Sequence, residues 1–363
     1  MNKKPDRPRV AIATGVTRED AVRNALALVR DELLDRIQGA VIVKPNFLSS
    51  VNTLAATQAG AVRPVLEMLR NANIDRICIA EGGSRSTPQA LDNFGYRALA
   101  SDFAVDFVDL NRGGFSRSFE IITADRKTQN ADYADFAAEA DTIISVPVAK
   151  THDTAGVTLS VKNMMGCLRR VHRPRMHGFR IGDSLSGIAE RFWNAIEGHP
   201  FVFKSFSGAV FAVARMMRAQ NRHGAGHGGT GLLQQVGAMS ENLARLGRVL
   251  MPDIAVIDAF EAMEGDGPGS VGTPVDMRVA VAGTDPVACD AVMAYMMGFD
   301  PGAIGHIALL GERGLGVADL TRIECVGESP EHLRRGFRPH ANFPIQRRWR
   351  EAFDSWPAEI EHG

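Results

Sequence analysis

The feature that most limits the fold of this chain is a series of short, unbroken apolar runs at residues 10–14, 41–44, 76–80, 104–108 and 142–146, separated by helical patterns. A strand with one wet face alternates apolar and polar residues, so a run that is apolar throughout is buried on both faces. Helices between such runs predict an α/β fold with a mainly parallel sheet or sheets flanked by helices. Thr17 is the predicted N-cap of the first helix, with Glu19 and Asp20 in its opening turn. Further helices are predicted over 59–71 and 131–140. Strand patterns return at 254–257, 278–282 and 322–326, with helices at about 286–297 and 303–311. Asp285 followed by Pro286 reads as a helix start.

These elements predict two lobes with a cleft between them. The N-terminal α/β lobe spans 8–150. The C-terminal α/β lobe spans 151–328 and carries a helical insertion at about 184–250. Residues 329–363 form a basic, aromatic tail expected on the surface or in an assembly contact, which leaves a homo-oligomer open. Within the insertion, 201–217 is apolar but too short to cross a bilayer and is expected as a buried or amphipathic helix. The glycine-rich stretch 221–231 is expected as a loop.

Composition narrows the partners. A net charge of −1 gives no global reason to bind nucleic acid or an anionic membrane. Cys78, Cys167, Cys289 and Cys325 are far apart and form no CxxC pair, so neither a disulfide framework nor an iron–sulfur cluster is expected. The first nine residues are polar and basic, without the apolar core of a secretion signal. A cytoplasmic setting follows as the expectation.

In an open α/β sheet ligands bind outside the carboxyl ends of the strands. Three polar clusters fall where predicted strands end: Lys44-Pro45-Asn46, Glu81-Gly82-Gly83-Ser84 and Lys150-Thr151-His152. The densest signal is 150–180. It holds Lys150, Lys162, Arg169, Arg170, Arg173, Arg175 and Arg180 with His152, His172 and His177, against one acid, Asp153. Such a run creates a local positive potential suited to phosphate or carboxylate; the bland alternative is a solvated basic face. His152 and His177 are open to three roles: metal ligands, an acid/base pair, or hydrogen-bonded structural histidines. No HxxxH or HxH spacing favours a metal on one element. Lys162, if desolvated, becomes a base or nucleophile. The second half supplies acids, among them Asp258, Glu264 and Asp290, with a glycine-rich turn at 264–269. No nucleotide-binding, nucleophile-elbow or zinc-protease signature is present.

The runs VIVKPN (41–46), IAEGG (79–83), ISVPVAKTH (144–152), VKNMMG (161–166), RMHG (175–178), DAFEAMEGDGPG (258–269) and GTDPVACDAV (283–292) resemble, in order, a family called domain of unknown function 362. Many of its members carry a ferredoxin-like segment with cluster-binding cysteines; this chain lacks those cysteines and resembles the stand-alone branch. The resemblance implies Lys44, Asn46, Glu81, Lys150, His152, Lys162, Asn163, His177, Asp258, Glu264 and Asp290 as site residues. The first half is also similar in layout, though not in motifs, to nickel-dependent lactate racemases. The resulting expectation is an enzyme acting on a small anionic substrate, carboxylate or phosphate. Lys162, His152, His177 and Glu264 would carry acid/base chemistry, with a divalent metal as an unassigned cofactor. Lys44, Asn46, Glu81, Lys150, Asn163, Asp258 and Asp290 would bind the substrate. The alternative is a carrier that holds an anionic metabolite or metal cofactor without turnover.

Overall fold

The computed structural model describes residues 7–179, 231–269 and 271–354. The expectations for the insertion over 184–230, including the apolar stretch and most of the glycine-rich loop, lie outside the described residues.

One ten-stranded sheet organises the molecule. Its main path runs β12 (Glu324–Gly327), β1 (Arg9–Thr14), β11 (Thr273–Gly283), β10 (Ile254–Glu264), β7 (Thr142–Val146), β2 (Val41–Pro45), β3 (Ile77–Glu81), β4 (Asp106–Asp109). From β10 to β4 every pairing is parallel; β11 alone runs antiparallel to both of its neighbours, β1 and β10. Off this path, β8 (Val148–His152) pairs in parallel with β10 and antiparallel with β9 (Gly156–Thr158).

The strands β1, β2, β3 and β7 are largely buried on both faces, as their apolar runs require, whereas the edge strand β4, which begins at Asp106, stays partly exposed, against the expectation for 104–108. Val10 and Ile12 enter one core with the helices Pro286–Met296 and Gly305–Glu312, while Ala11 and Ala13 enter another with Arg18–Leu28 and Ala59–Asn71. Likewise Val41 and Val43 face the second core and Ile42 a third. Successive residues of a strand point to opposite faces, so each strand feeds two hydrophobic layers. Thr17 caps the first helix by a reciprocal box with Asp20, and Asp285 accepts from Val287 and Ala288 N–H.

Several expectations are corrected. The sheet is continuous across both halves of the chain, and the expected boundary at 150/151 lies within β8. Residues 131–133 belong to β6 (Thr128–Tyr133), which forms a separate hairpin with β5 (Arg117–Ile122); only Asp135–Ala138 is helical. The propensity of the alanines there yields to pairing with β5 and to burial of Phe119 and Tyr133. Lys150-Thr151-His152 is a strand rather than a loop after one. The C-terminal segment is more than a surface tail: Trp349 is 1% exposed, donates to Gly302 O at 3.1 Å and joins the core.

Candidate functional site

The chain runs from β2 outward through β3 to β4, then returns to place β7 on the other side of β2. The carboxyl ends of β2 and β7 therefore flank the point where strand order reverses, the usual place for a ligand in an open α/β sheet. Lys44 closes β2, Glu81 closes β3, and β8 follows β7 directly.

The first part of this region is a closed polar lattice. Lys44 Nζ is fully buried, forms an ion pair with the equally buried Glu81, and donates to Pro45 O at 3.1 Å and Asn163 Oδ1 at 3.2 Å. Glu81 Oε1 also accepts the Phe47 N–H at 3.1 Å. Asn163 spends both amide protons on Lys44 O (3.1 Å) and Ser145 Oγ (3.0 Å). Its oxygen accepts from Lys44 and, at 3.1 Å, from Asn46 Nδ2. Nothing here is left unmatched, and a Cβ on Gly166 would lie 2.6 Å from Lys44 Nζ, so that position accepts only glycine at this spacing. A satisfied buried pair of this kind specifies structure.

Beside it the charges are unmatched. Lys150 Nζ donates to Asn46 Oδ1 and, at 3.0 Å, to Ala55 O, but meets no carboxylate. Burial, then the nearby Lys162 ammonium, push its pKa down to about 7. Lys162 is buried as well; among the described residues its Nζ lies 3.7 Å from Met165 Sδ and forms no ion pair, and burial, against the pull of Asp153, pushes its pKa down to about 8. The helix that carries it, Ser160–Asn163, is held at its start by Asp290, which accepts from Ser160 N (2.8 Å), Ser160 Oγ and Val161 N (3.1 Å). Asp290 is thus bonded to the backbone that aims Lys162.

Two imidazoles lie at this unmatched charge. Lys150 and His152 share one face of β8, and Lys150 faces Thr158 across β9 while His152 faces Gly156, which has no side chain to obstruct the ring. The His152 and His177 rings stack, centroids 5.6 Å apart and 25° between planes. His152 is buried, whereas His177 keeps part of its surface open to solvent, with Phe179 stacked on its far side at 6.4 Å.

Their hydrogen bonds assign the tautomers. His152 Nδ1 accepts from the N–H groups of Thr154 and Ala155, both at 3.1 Å, so the neutral ring carries its proton on Nε2. The Thr154 hydroxyl donates to Asp153 Oδ1 at 3.1 Å and lies 3.2 Å from His177 Nδ1. With its one proton so used, the hydroxyl accepts from His177 Nδ1–H, which leaves the Nε2 lone pair of His177 free. Burial, then Lys162, keep His152 well below the usual imidazole range; burial lowers His177 to about 4, against the pull of Asp153. Asp153 Oδ1 also comes within 3.1 Å of His152 Nδ1, a contact that becomes an ion pair only if that ring gains a proton.

The expected acidic wall does not face these imidazoles. Asp258, buried, pairs with Arg18 Nε at 2.9 Å and accepts the Phe260 N–H. Glu264 accepts from Thr273 Oγ1 at 3.3 Å and from the Arg338 N–H at 2.9 Å. The basic run 150–180 also divides. Arg173 is buried and donates to Gly83 O, Gly166 O, Leu168 O and Asn111 Oδ1; Arg175 reaches Asn130 O, and Arg169 lies over Phe115. Among the described residues no group of three or more His, Cys, Asp or Glu side chains is arranged to hold a metal ion.

Sequence reasoning missed four residues around the imidazoles. Thr154 is the hydroxyl that orients His177. From the supposed tail, Gln346 Nε2 donates to His152 O at 2.9 Å and Asn342 Nδ2 to Asp153 O at 2.8 Å, pinning the strand end that presents the imidazoles. His306 is fully buried, and neither ring nitrogen has a partner. Only the interleaved polar and aromatic residues of 337–349 hinted that this segment packs inward.

A thylakoid-associated protein of Synechocystis is 22% identical over 285 residues, 77% of this chain and 70% of that protein. The lactate racemase apoprotein of Thermoanaerobacterium thermosaccharolyticum shares 16% identity and a TM-score of 0.33 over 49% of this chain, which spans 43% of that one. No helix among the described residues is long and apolar enough to cross a membrane. The model of the family described as "Domain of unknown function (DUF362)" matches residues 41–295, more than two thirds of the sequence, and the chain belongs to that family.

Proposed function

We propose that the protein is a cytoplasmic enzyme that binds a small carboxylate or phosphate at Lys150 and Lys162 and moves protons with His152 and His177. The observation that carries this reading is the buried Lys162 ammonium, which forms no ion pair among the described residues and has Asp153 only as a countercharge beyond ion-pair contact, near a stacked pair of neutral imidazoles in complementary tautomers. Burying a cation unpaired costs several kcal/mol in general, and a binding anion supplies the missing countercharge. Both lysines lie close enough to neutrality for anion binding to draw protons onto them.

His177 Nε2, which has no hydrogen-bond partner among the described residues on a ring that is partly open to solvent, is the base. Asp153, through the Thr154 hydroxyl, orients that ring and favours its protonated form. His152 Nε2–H is the neighbouring donor. A base and a donor side by side at a cation suit proton transfer next to a carboxylate or phosphate ester. Lys44, Glu81, Asn46 and Asn163 form the rigid floor, Asp290 holds the Lys162 helix, and Asp258 and Glu264 anchor β10 and the turn after it.

Calorimetric titration with inorganic phosphate and with a panel of small carboxylates, in buffers of different ionisation enthalpy, tests the reading. Binding is expected with net proton uptake at mildly alkaline pH, lost in Lys162→Met. A bound ligand should turn over with wild type and lose turnover in His177→Asn. Absence of binding across the panel refutes the anion site; binding without turnover favours a carrier.

A further inference from the structure

Native folds satisfy nearly all their buried polar groups, so each orphan calls for an explanation and a cluster of orphans calls for a common one. Among the described residues, four buried side-chain atoms around the β8–β9 hairpin have no hydrogen-bond partner: Thr158 Oγ1, both ring nitrogens of His306, and Gln346 Oε1. Thr158 is the cross-strand partner of Lys150, so its hydroxyl leaves the hairpin on the same face as Lys150 and His152. His306 lies in the first turn of Gly305–Glu312. The start of that helix covers the hairpin, since a Cβ on Gly156 would lie 2.8 Å from Ile304 Cδ1 and 3.9 Å from Gln346 Oε1. Thr158 and His306 are 3% and 0% exposed, so bulk water cannot serve as their partner.

We propose that His306 and Thr158 are further ligand-binding residues of this site, donating hydrogen bonds to an oxyanion whose charge is met by Lys162. The inference deepens the function proposed above and rests on it. The Lys162 charge disfavours protonation of His152, His177 and His306 alike. Burial first, then Lys162, lower the His306 pKa to about 3. A neutral ring has one N–H, and a bound oxyanion would accept it together with the Thr158 O–H. Thr158 and His306 are buried, whereas His177 keeps part of its surface open to solvent. The ligand would thus enter past His177 with its charged group leading. Gln346 Oε1 is an acceptor and calls for a donor, which a protonated oxyanion supplies.

The test is a titration of the full chain, labelled with nitrogen-15 in its histidine rings, with inorganic phosphate and separately with acetate. His306 is identified as the signal missing from His306→Gln. The expected result with either probe is movement of the His152, His177 and His306 signals along one binding curve. His306→Phe, which removes the donor but keeps a ring, should weaken binding about tenfold or more while the thermal transition stays cooperative. Movement of His152 and His177 with His306 unchanged overturns this inference and leaves the proposed function standing. No movement of any histidine overturns both. If the His306 variants do not fold, a crystal of the wild-type chain grown in phosphate decides instead. An anion within hydrogen-bond distance of Lys162 Nζ and the His306 ring supports the proposal, and an anion bound elsewhere overturns it.

Discussion

Replacing Lys162 by methionine should make the protein more stable and less able to bind its ligand. Methionine has nearly the length of the lysine stem and suits the surroundings of Met164 and Met165. The drop in the Lys162 pKa from 10.5 to about 8 means that the folded state disfavours the charged form by about 3 kcal/mol. The sign follows from the direction of the shift. Below about pH 8 the lysine is protonated whether folded or unfolded, and the penalty is fully present; between about 8 and 10.5 the folded protein releases its proton first and the penalty fades; above that it is gone. Lys162→Met should therefore gain about 2–3 kcal/mol over wild type near pH 6 or 7, with the advantage vanishing towards about pH 10.5. Urea unfolding of both proteins at a series of pH values measures this directly. The anion titration, run in parallel, should show binding lost. A variant less stable than wild type at neutral pH would mean that Lys162 has a favourable partner in the fold, and the reasoning for an unmatched charge would be refuted.

The same substitution at Lys44 should act in the opposite direction, because Glu81 would be stranded without its cation. A loss of about 3–5 kcal/mol is expected for Lys44→Met, with much of it recovered in Lys44→Met/Glu81→Leu, as read by denaturant unfolding. Thr154→Val keeps the shape of the His177 contact but cuts the link to Asp153. It should lower kcat about tenfold or more with little change in KM, once a substrate is found, and equal activity would remove the orienting role. Trp349→Ala should cost about 3–5 kcal/mol by opening a cavity against Gly305 and Phe353, whereas a surface tail would tolerate it. Gly166→Ala should destabilise through its clash with Lys44 and Glu81, and a wild-type melting profile would contradict the packing described.

Local chemistry made much of this molecule legible before any coordinates. Unbroken apolar runs can be stable only with both faces covered, so the α/β class and most of β1, β2, β3 and β7 follow from the residues alone. Thr17 and Asp285 declare their helices through capping chemistry that depends on neighbours two or three positions away. His152, His177, Lys150 and Lys162 stand out because polar groups interleaved with glycine after strand patterns are rare in a core. Tertiary structure decided what pairs with what. Lys44 and Lys162 look alike as letters; one forms a buried ion pair with Glu81, 37 residues away, whereas the other forms no ion pair among the described residues, which is why it carries the proposed binding role. The acids at 258 and 290 were assigned to a wall opposite the bases, but Arg18 and the Ser160 backbone reach them first. Asp132–Tyr133 became a strand because β5 lay ready to pair, and the helix Gly305–Glu312 buries His306 without a hydrogen-bond partner among the described residues. Short-range propensity and patterning are written in neighbouring residues, whereas the partner of a buried charge depends on which distant segments the sheet brings together.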